Sequence, residues 1–202
     1  TLKTLMYMDG FEGENNNLKD FKFSEKIENE YKLVDLFIKL HSCYISFCDC
    51  EYYFRRYPFR GLPIERDTHL KYICEMYFNR IYEFKEKMKN LFDEIHKILA
   101  KKTNAGSIIK SYSHKFSIEL THRNLTNHHH GFDCLELSSL TLASIAARLP
   151  SNQGKGWDDE YNAIYRKESR TWASRVRNRS VDMLSYLEII AKFMNENCKF
   201  LE

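Results

Sequence analysis

This sequence predicts an all-α fold, an antiparallel bundle of four long helices plus one short helix, and three observations carry that prediction. Apolar residues recur at steps of three and four over long stretches. Residues that punctuate short-stranded β proteins are scarce, with 7 Gly and 3 Pro in 202 residues. Aromatics suited to filling a helical core are plentiful, with 14 Phe and 13 Tyr. A chain of this length makes one ordinary domain and buries about 70% of the surface its unfolded form exposes.

The elements follow in order. Residues 1–27, with Gly10, Gly13 and the run Asn15-Asn16-Asn17, have little periodic apolar content and are expected to form an N-terminal arm ahead of a helical domain over 28–202. Leu33, Phe37, Leu40, Tyr44, Phe47 and Phe54 predict a first helix over about 28–57, which Pro58, Gly61 and Pro63 stop. Tyr77, Ile81, Phe84, Met88, Leu91, Ile95 and Ile98 alternate steps of four and three within 68–102. That heptad-like seam predicts a bundle spine about 50 Å long. The short turn Thr103-Asn104-Ala105-Gly106 sends a third helix back antiparallel to the second. On it Ile109, Tyr112, Phe116 and Leu120 form an inward stripe, and one further step of three reaches Arg123. Gly131 is a helix terminator, a fourth helix is expected over about 134–149, and 150–156 is a polar loop. From Trp157 to about Phe200 a last helix, whole or broken once, carries Leu184, Leu187, Ile190 and Met194.

Several function classes are excluded or disfavoured. No apolar run reaches the 18 or more residues that span a bilayer, and the N-terminal residues lack a basic segment followed by an apolar one, so the reading is a cytoplasmic protein without a membrane partner. Six cysteines raise the question of zinc or disulfides. Cys48 and Cys50 sit two apart within a helical pattern, so their side chains diverge by about 200° and cannot grip one ion. Reduced, buried thiols are expected. Trp157 and Trp172 read as core or interface anchors, although one exposed near Arg170 or Arg175 would be able to stack a base. The run Tyr52-Tyr53-Phe54-Arg55-Arg56-Tyr57 reads as a helix end, with arginines near its terminal carbonyls.

Charge is unevenly spread. Net charge is +3, yet Arg166, Lys167, Arg170, Arg175, Arg177 and Arg179 face one acid, Glu168, within a short segment. These six are candidate RNA-phosphate contacts, and the competing reading is a solvated helix face whose stems cover apolar neighbours.

The residues with most chemical content are Arg123-Asn124-Leu125-Thr126-Asn127-His128, followed by His129, His130 and Gly131. A guanidinium holds phosphate at any pH, and an imidazole exchanges protons near neutrality. Together they suffice for RNA cleavage without a metal. A charge on an inward stripe costs several kcal/mol unless paired or opened onto a cleft or second subunit, so Arg123 is not an ordinary solvated residue. A metal site remains an alternative for the three histidines with His114 and His122, but helix neighbours point 100° apart and no acidic or thiol partner is obviously near.

An Arg followed by a polar residue and then a His, at the end of a core helix of a bundle, resembles the HEPN superfamily, whose signature is R-x4-6-H. Arg123 matches the arginine and Asn124 the polar residue, while His128, His129 and His130 satisfy the three spacings in turn. His128 is taken as the motif histidine because the resemblance points most directly to the form R-N-x-x-x-H, with His129 next. The resemblance implies a homodimer whose two motifs face each other across a composite cleft, and a metal-independent endoribonuclease without cofactor. His128 would deprotonate a ribose 2′-OH, Arg123 would neutralise charge on the phosphoryl oxygens, and Asn124 would orient either. It further implies a toxin or defence role, with an antitoxin or a neighbouring nucleotidyltransferase as partner. The alternative is a catalytically inactive RNA- or partner-binding module, in which Arg123 is capped by a carboxylate such as Glu119; a plain helical scaffold is the third reading.

Overall fold

The computed structural model describes residues 24–58, 64–100, 103–128 and 135–198, and there the chain is helical throughout its regular structure. The elements are α1 (Glu25–Arg55), α2 (Arg66–Leu99), α3 (Ala105–Lys115), α4 (Ser117–His128), α5 (Leu135–Arg148), a 3₁₀ turn (Pro150–Asn152) and α6 (Trp157–Asn197). All but the end of the expected N-terminal arm lies outside the described residues.

Helix α1 starts where Ser24 Oγ accepts from the Ile27 amide at 3.5 Å, with Glu25 and Glu28 in its first turn against the positive helix end. It stops at Arg56, which is extended, two residues ahead of Pro58. Leu33, Leu40, Cys43, Phe47, Cys50 and Phe54 form its buried stripe. The opposite face leaves Ile27, Tyr31, Val34, Ile38, Ile45 and Tyr52 exposed.

The spine α2 buries the expected seam from Tyr77 to Ile95. It runs antiparallel to α1, because Lys32 near the start of α1 meets Glu94 near the end of α2 at 2.6 Å. Helix α2 ends at Ala100, whose φ of 48° is left-handed.

The expected third helix is two helices. It breaks at Phe116, where φ −106° and ψ 23° leave the helical region. Amide bonds still bracket the break, from Phe116 N to Tyr112 O at 3.0 Å and from Leu120 N to Phe116 O at 2.9 Å, so the chain bends rather than reversing. Tyr112 and Phe116 are both fully buried, with ring centroids 4.5 Å apart, and the Tyr112 hydroxyl donates to the Ile81 carbonyl of the spine at 2.9 Å. Beyond the break the inward register shifts. Glu119 rather than Leu120 becomes the buried residue of α4, and Arg123 is half-buried. Among the described residues the bundle therefore has three long helices of 31, 34 and 41 residues and three short ones, where four long and one short were expected.

Helix α6 is unbroken and packs against α1 and α5, with Trp172, Ala173, Val176, Met183, Leu187 and Ile190 in the shared core. Trp172 is a core anchor as expected, whereas Trp157 is exposed. Cys43 and Cys50 are free thiols, and burial above all pushes both up to about 12. Their thiolate populations near neutral pH are roughly a thousandfold below that of an unhindered cysteine. Iodoacetamide at pH 8, followed by peptide mapping, is therefore expected to label neither until the protein unfolds; rapid native labelling would contradict this packing.

Candidate functional site

The motif helix α4 lies against α2, and its inward side meets α6 across a cleft of about 740 Å³. The floor of that cleft is built around one buried carboxylate. Glu119 is 4% exposed, and its Oε1 and Oε2 accept from Arg179 Nε at 2.7 Å and Nη2 at 3.3 Å. The Tyr77 hydroxyl donates to the same Oε1 at 3.2 Å. Arg179 also donates to Asp182 at 3.1 Å, and Asp182 pairs with Lys115 at 3.0 Å. Burial disfavours the Arg179 cation, but the bonds to Glu119 outweigh it and its pKa is raised. Tyr77 is pushed up by burial and then by the Glu119 charge, so it stays a donor. This network ties α2, α4 and α6 together with its formal charges closely matched.

Above that floor the cleft is cationic and aromatic. His122 stacks on Phe78 with centroids 5.5 Å apart; Phe78 meets Trp172 edge-on at 5.9 Å; and Arg175 lies over the Trp172 ring at 4.3 Å. Arg170 and Arg175 are exposed and have no carboxylate within ion-pair distance among the described residues. The cleft thus offers two guanidiniums and an imidazole over a neutralised floor, a combination suited to phosphate oxygens.

Arg123 does not line this cleft. Its guanidinium lies over the Tyr82 ring of α2 at 3.8 Å, and its Nη1 is 3.5 Å from Asn124 Oδ1. Glu119, the carboxylate expected to cap Arg123, is bonded through both oxygens to Arg179 instead. The shift of register at Phe116 is the cause, because it turns Glu119 to the core and leaves Arg123 on the flank. Stacking uses the face of a guanidinium, whereas its donors lie in the ring plane. His128 closes α4, and its side chain, like all of His129 and His130, lies outside the described residues. Along a regular helix His128 stands about 7.5 Å beyond Arg123 and about 140° around the axis.

The basic residues of α6 do not share one face. Arg170 and Arg175 enter the cleft and Arg179 supports its floor. Arg177 pairs with Glu51 at 2.5 Å, Lys167 is exposed with its Nζ 3.9 Å from Glu168, and Arg166 belongs to a separate depression toward the start of α6. A 100° advance per residue spreads them around the cylinder. His122 was named in the sequence only as a metal ligand, and its cleft position becomes legible only once Phe78 and Trp172 are seen beside it. Among the described residues no group of three or more His, Cys, Asp and Glu side chains is placed to hold a metal, and no helix is long and apolar enough to cross a membrane.

Comparison of the chain with protein-family models, curated proteins and solved structures gives no match. The functional reading rests on its own residues.

Proposed function

We propose that this protein acts on RNA as a metal-independent endoribonuclease of the HEPN type, with Arg123 and His128 as its principal catalytic residues and Asn124 beside them. The observation that carries the reading is the placement of α4. One side of this short helix borders a cleft containing His122, Arg170 and Arg175, and the next residue along, Arg123, is steadied on Tyr82 while Glu119 is committed to Arg179. A cleft with unpaired arginines attracts a polyanion, and a steadied guanidinium holds a phosphate through its in-plane donors. Phe78 and the core residue Trp172 lie beneath His122 and Arg175 and hold these two cleft side chains in place.

An angle of about 140° between Arg123 and His128 on one helix turns them to different sides. The proposal therefore includes a two-fold dimer, in which the His128 of one copy would serve the Arg123 of the other. The same angle favours a second reading, an RNA-binding module without cleavage, should the chain act as a monomer. The test is incubation of a mixed-sequence labelled RNA with the protein in EDTA. Fragments are expected; intact RNA bound to folded protein would leave the binding module.

Binding has its own prediction. Replacing Arg170 and Arg175 together by Gln is expected to weaken RNA affinity at least tenfold and to flatten its salt dependence by roughly 1.4 logarithmic units per decade, the release from two single-strand phosphates. Fluorescence anisotropy across a salt series measures both. Unchanged affinity would remove the cleft from the RNA path.

A further inference from the structure

A second depression, of about 470 Å³, opens beside α6 toward its N-terminal end. Four guanidiniums reach it, those of Arg55, Arg56, Arg66 and Arg166, and among the described residues no aspartate or glutamate lines it. Gathering four like charges is unfavourable in isolation, so the counter-charges decide what the arrangement is for. Among the described residues only Arg55 has one within ion-pair distance: Glu51 lies 2.8 Å away and is shared with Arg177, while Glu65 and Asp67 flank Arg66 without pairing with it.

The others are held by neutral groups. Arg66 lies between the rings of Tyr57, at 5.6 Å, and Tyr165, at 5.5 Å, and donates to Asn162 Oδ1. Tyr57 is itself fixed by a hydrogen bond from its hydroxyl to the Ile64 carbonyl. Arg56 rests over Tyr52 at 5.7 Å, and Arg166 is exposed with no ion pair among the described residues. Rings and an amide orient these side chains without cancelling their charge. Helix α2 begins at this place, with Arg66 its first residue, and its N-cap Glu65 makes no capping bond and pairs instead with Arg148 at 3.2 Å. The positive end of α2 lies at this place, and Asp67 in its first turn offsets part of it.

We infer that Arg55, Arg56, Arg66 and Arg166 form a phosphate-binding site distinct from the Arg123 motif, for a group carrying two or more negative charges. Bidentate forks suit phosphate oxygens, and the volume matches a small-ligand pocket. Arg166 and Arg170 are one helical turn apart on α6, so the site adjoins the RNA cleft, with Arg166 about 14 Å along the axis from Arg175. The phosphate therefore belongs either to RNA running out of the cleft or to a free polyphosphate.

The test is calorimetric titration of inorganic pyrophosphate into the full chain, into Arg56→Gln/Arg166→Gln, and into Lys192→Gln, which changes an exposed lysine of the same helix far from the depression. Both altered arginines are exposed, so the fold is retained, and thermal unfolding verifies it. One pyrophosphate per chain is expected, with at least tenfold weaker binding in the double variant and no change in the lysine variant. Absence of binding at millimolar pyrophosphate, or equal binding in the double variant, would overturn the site. A single-stranded oligonucleotide that displaces pyrophosphate identifies the RNA source, and one that binds alongside it identifies the free polyphosphate. None of these readouts requires cleavage.

Discussion

Arg179→Ala is expected to lower the free energy of unfolding by about 3 kcal/mol, the low end for breaking a buried ion pair, because Arg179 keeps some exposure while Glu119 has almost none. The loss comes less from the missing bonds than from what stays behind. Glu119 would remain a carboxylate at the junction of α2, α4 and α6 with only the Tyr77 hydroxyl to solvate it. A double replacement, Glu119→Leu with Arg179→Met, removes both charges and keeps the volume, and it is expected to recover most of the loss. Urea unfolding of the single and double variants measures the difference. A neutral Arg179→Ala would mean that the network does not hold the helices together.

Arg123→Ala and His128→Ala are each expected to reduce metal-free RNA cleavage at least 100-fold, the scale of losing a transition-state cation or a general base. Arg123→Ala leaves the Glu119–Arg179 network untouched, so its stability is expected to be close to wild type and its loss to be chemical. Arg123→Lys keeps the charge but loses the planar fork and the stacking on Tyr82, and should recover little activity. His122→Ala and His129→Ala decide which imidazole matters. If His128→Ala stays active while one of these is dead, the general base has been misassigned. If all histidine variants cleave as wild type does, the mechanism fails.

The sequence made the fold legible where periodicity was regular. The seam of α2 and the stripe of α1 are read directly, because every third or fourth residue is large and apolar. The break at Phe116 was not legible, since Tyr112 and Phe116 keep perfect helical spacing on either side of it and only the backbone departs. That one departure decides the site. A continuous helix would have put Leu120 and Arg123 inward, whereas the bend puts Glu119 inward and calls for a cation from α6. Arg179 answers that need from 60 residues away, a pairing that no local pattern encodes. The basic segment was legible as charge but not as geometry, because the helix winds its residues apart and other elements choose which of them to neutralise.

The most direct measurement of the central claim uses a short RNA with one mapped cleavage position, incubated with the protein in EDTA beside the same strand carrying a single 2′-deoxyribose there. Attack by the 2′-OH predicts a 2′,3′-cyclic phosphate and a 5′-OH at the break in the first strand and no cleavage at that position in the second. Cleavage of the deoxy-substituted strand, or 3′-OH and 5′-phosphate ends that appear only when divalent metal is restored, would contradict it.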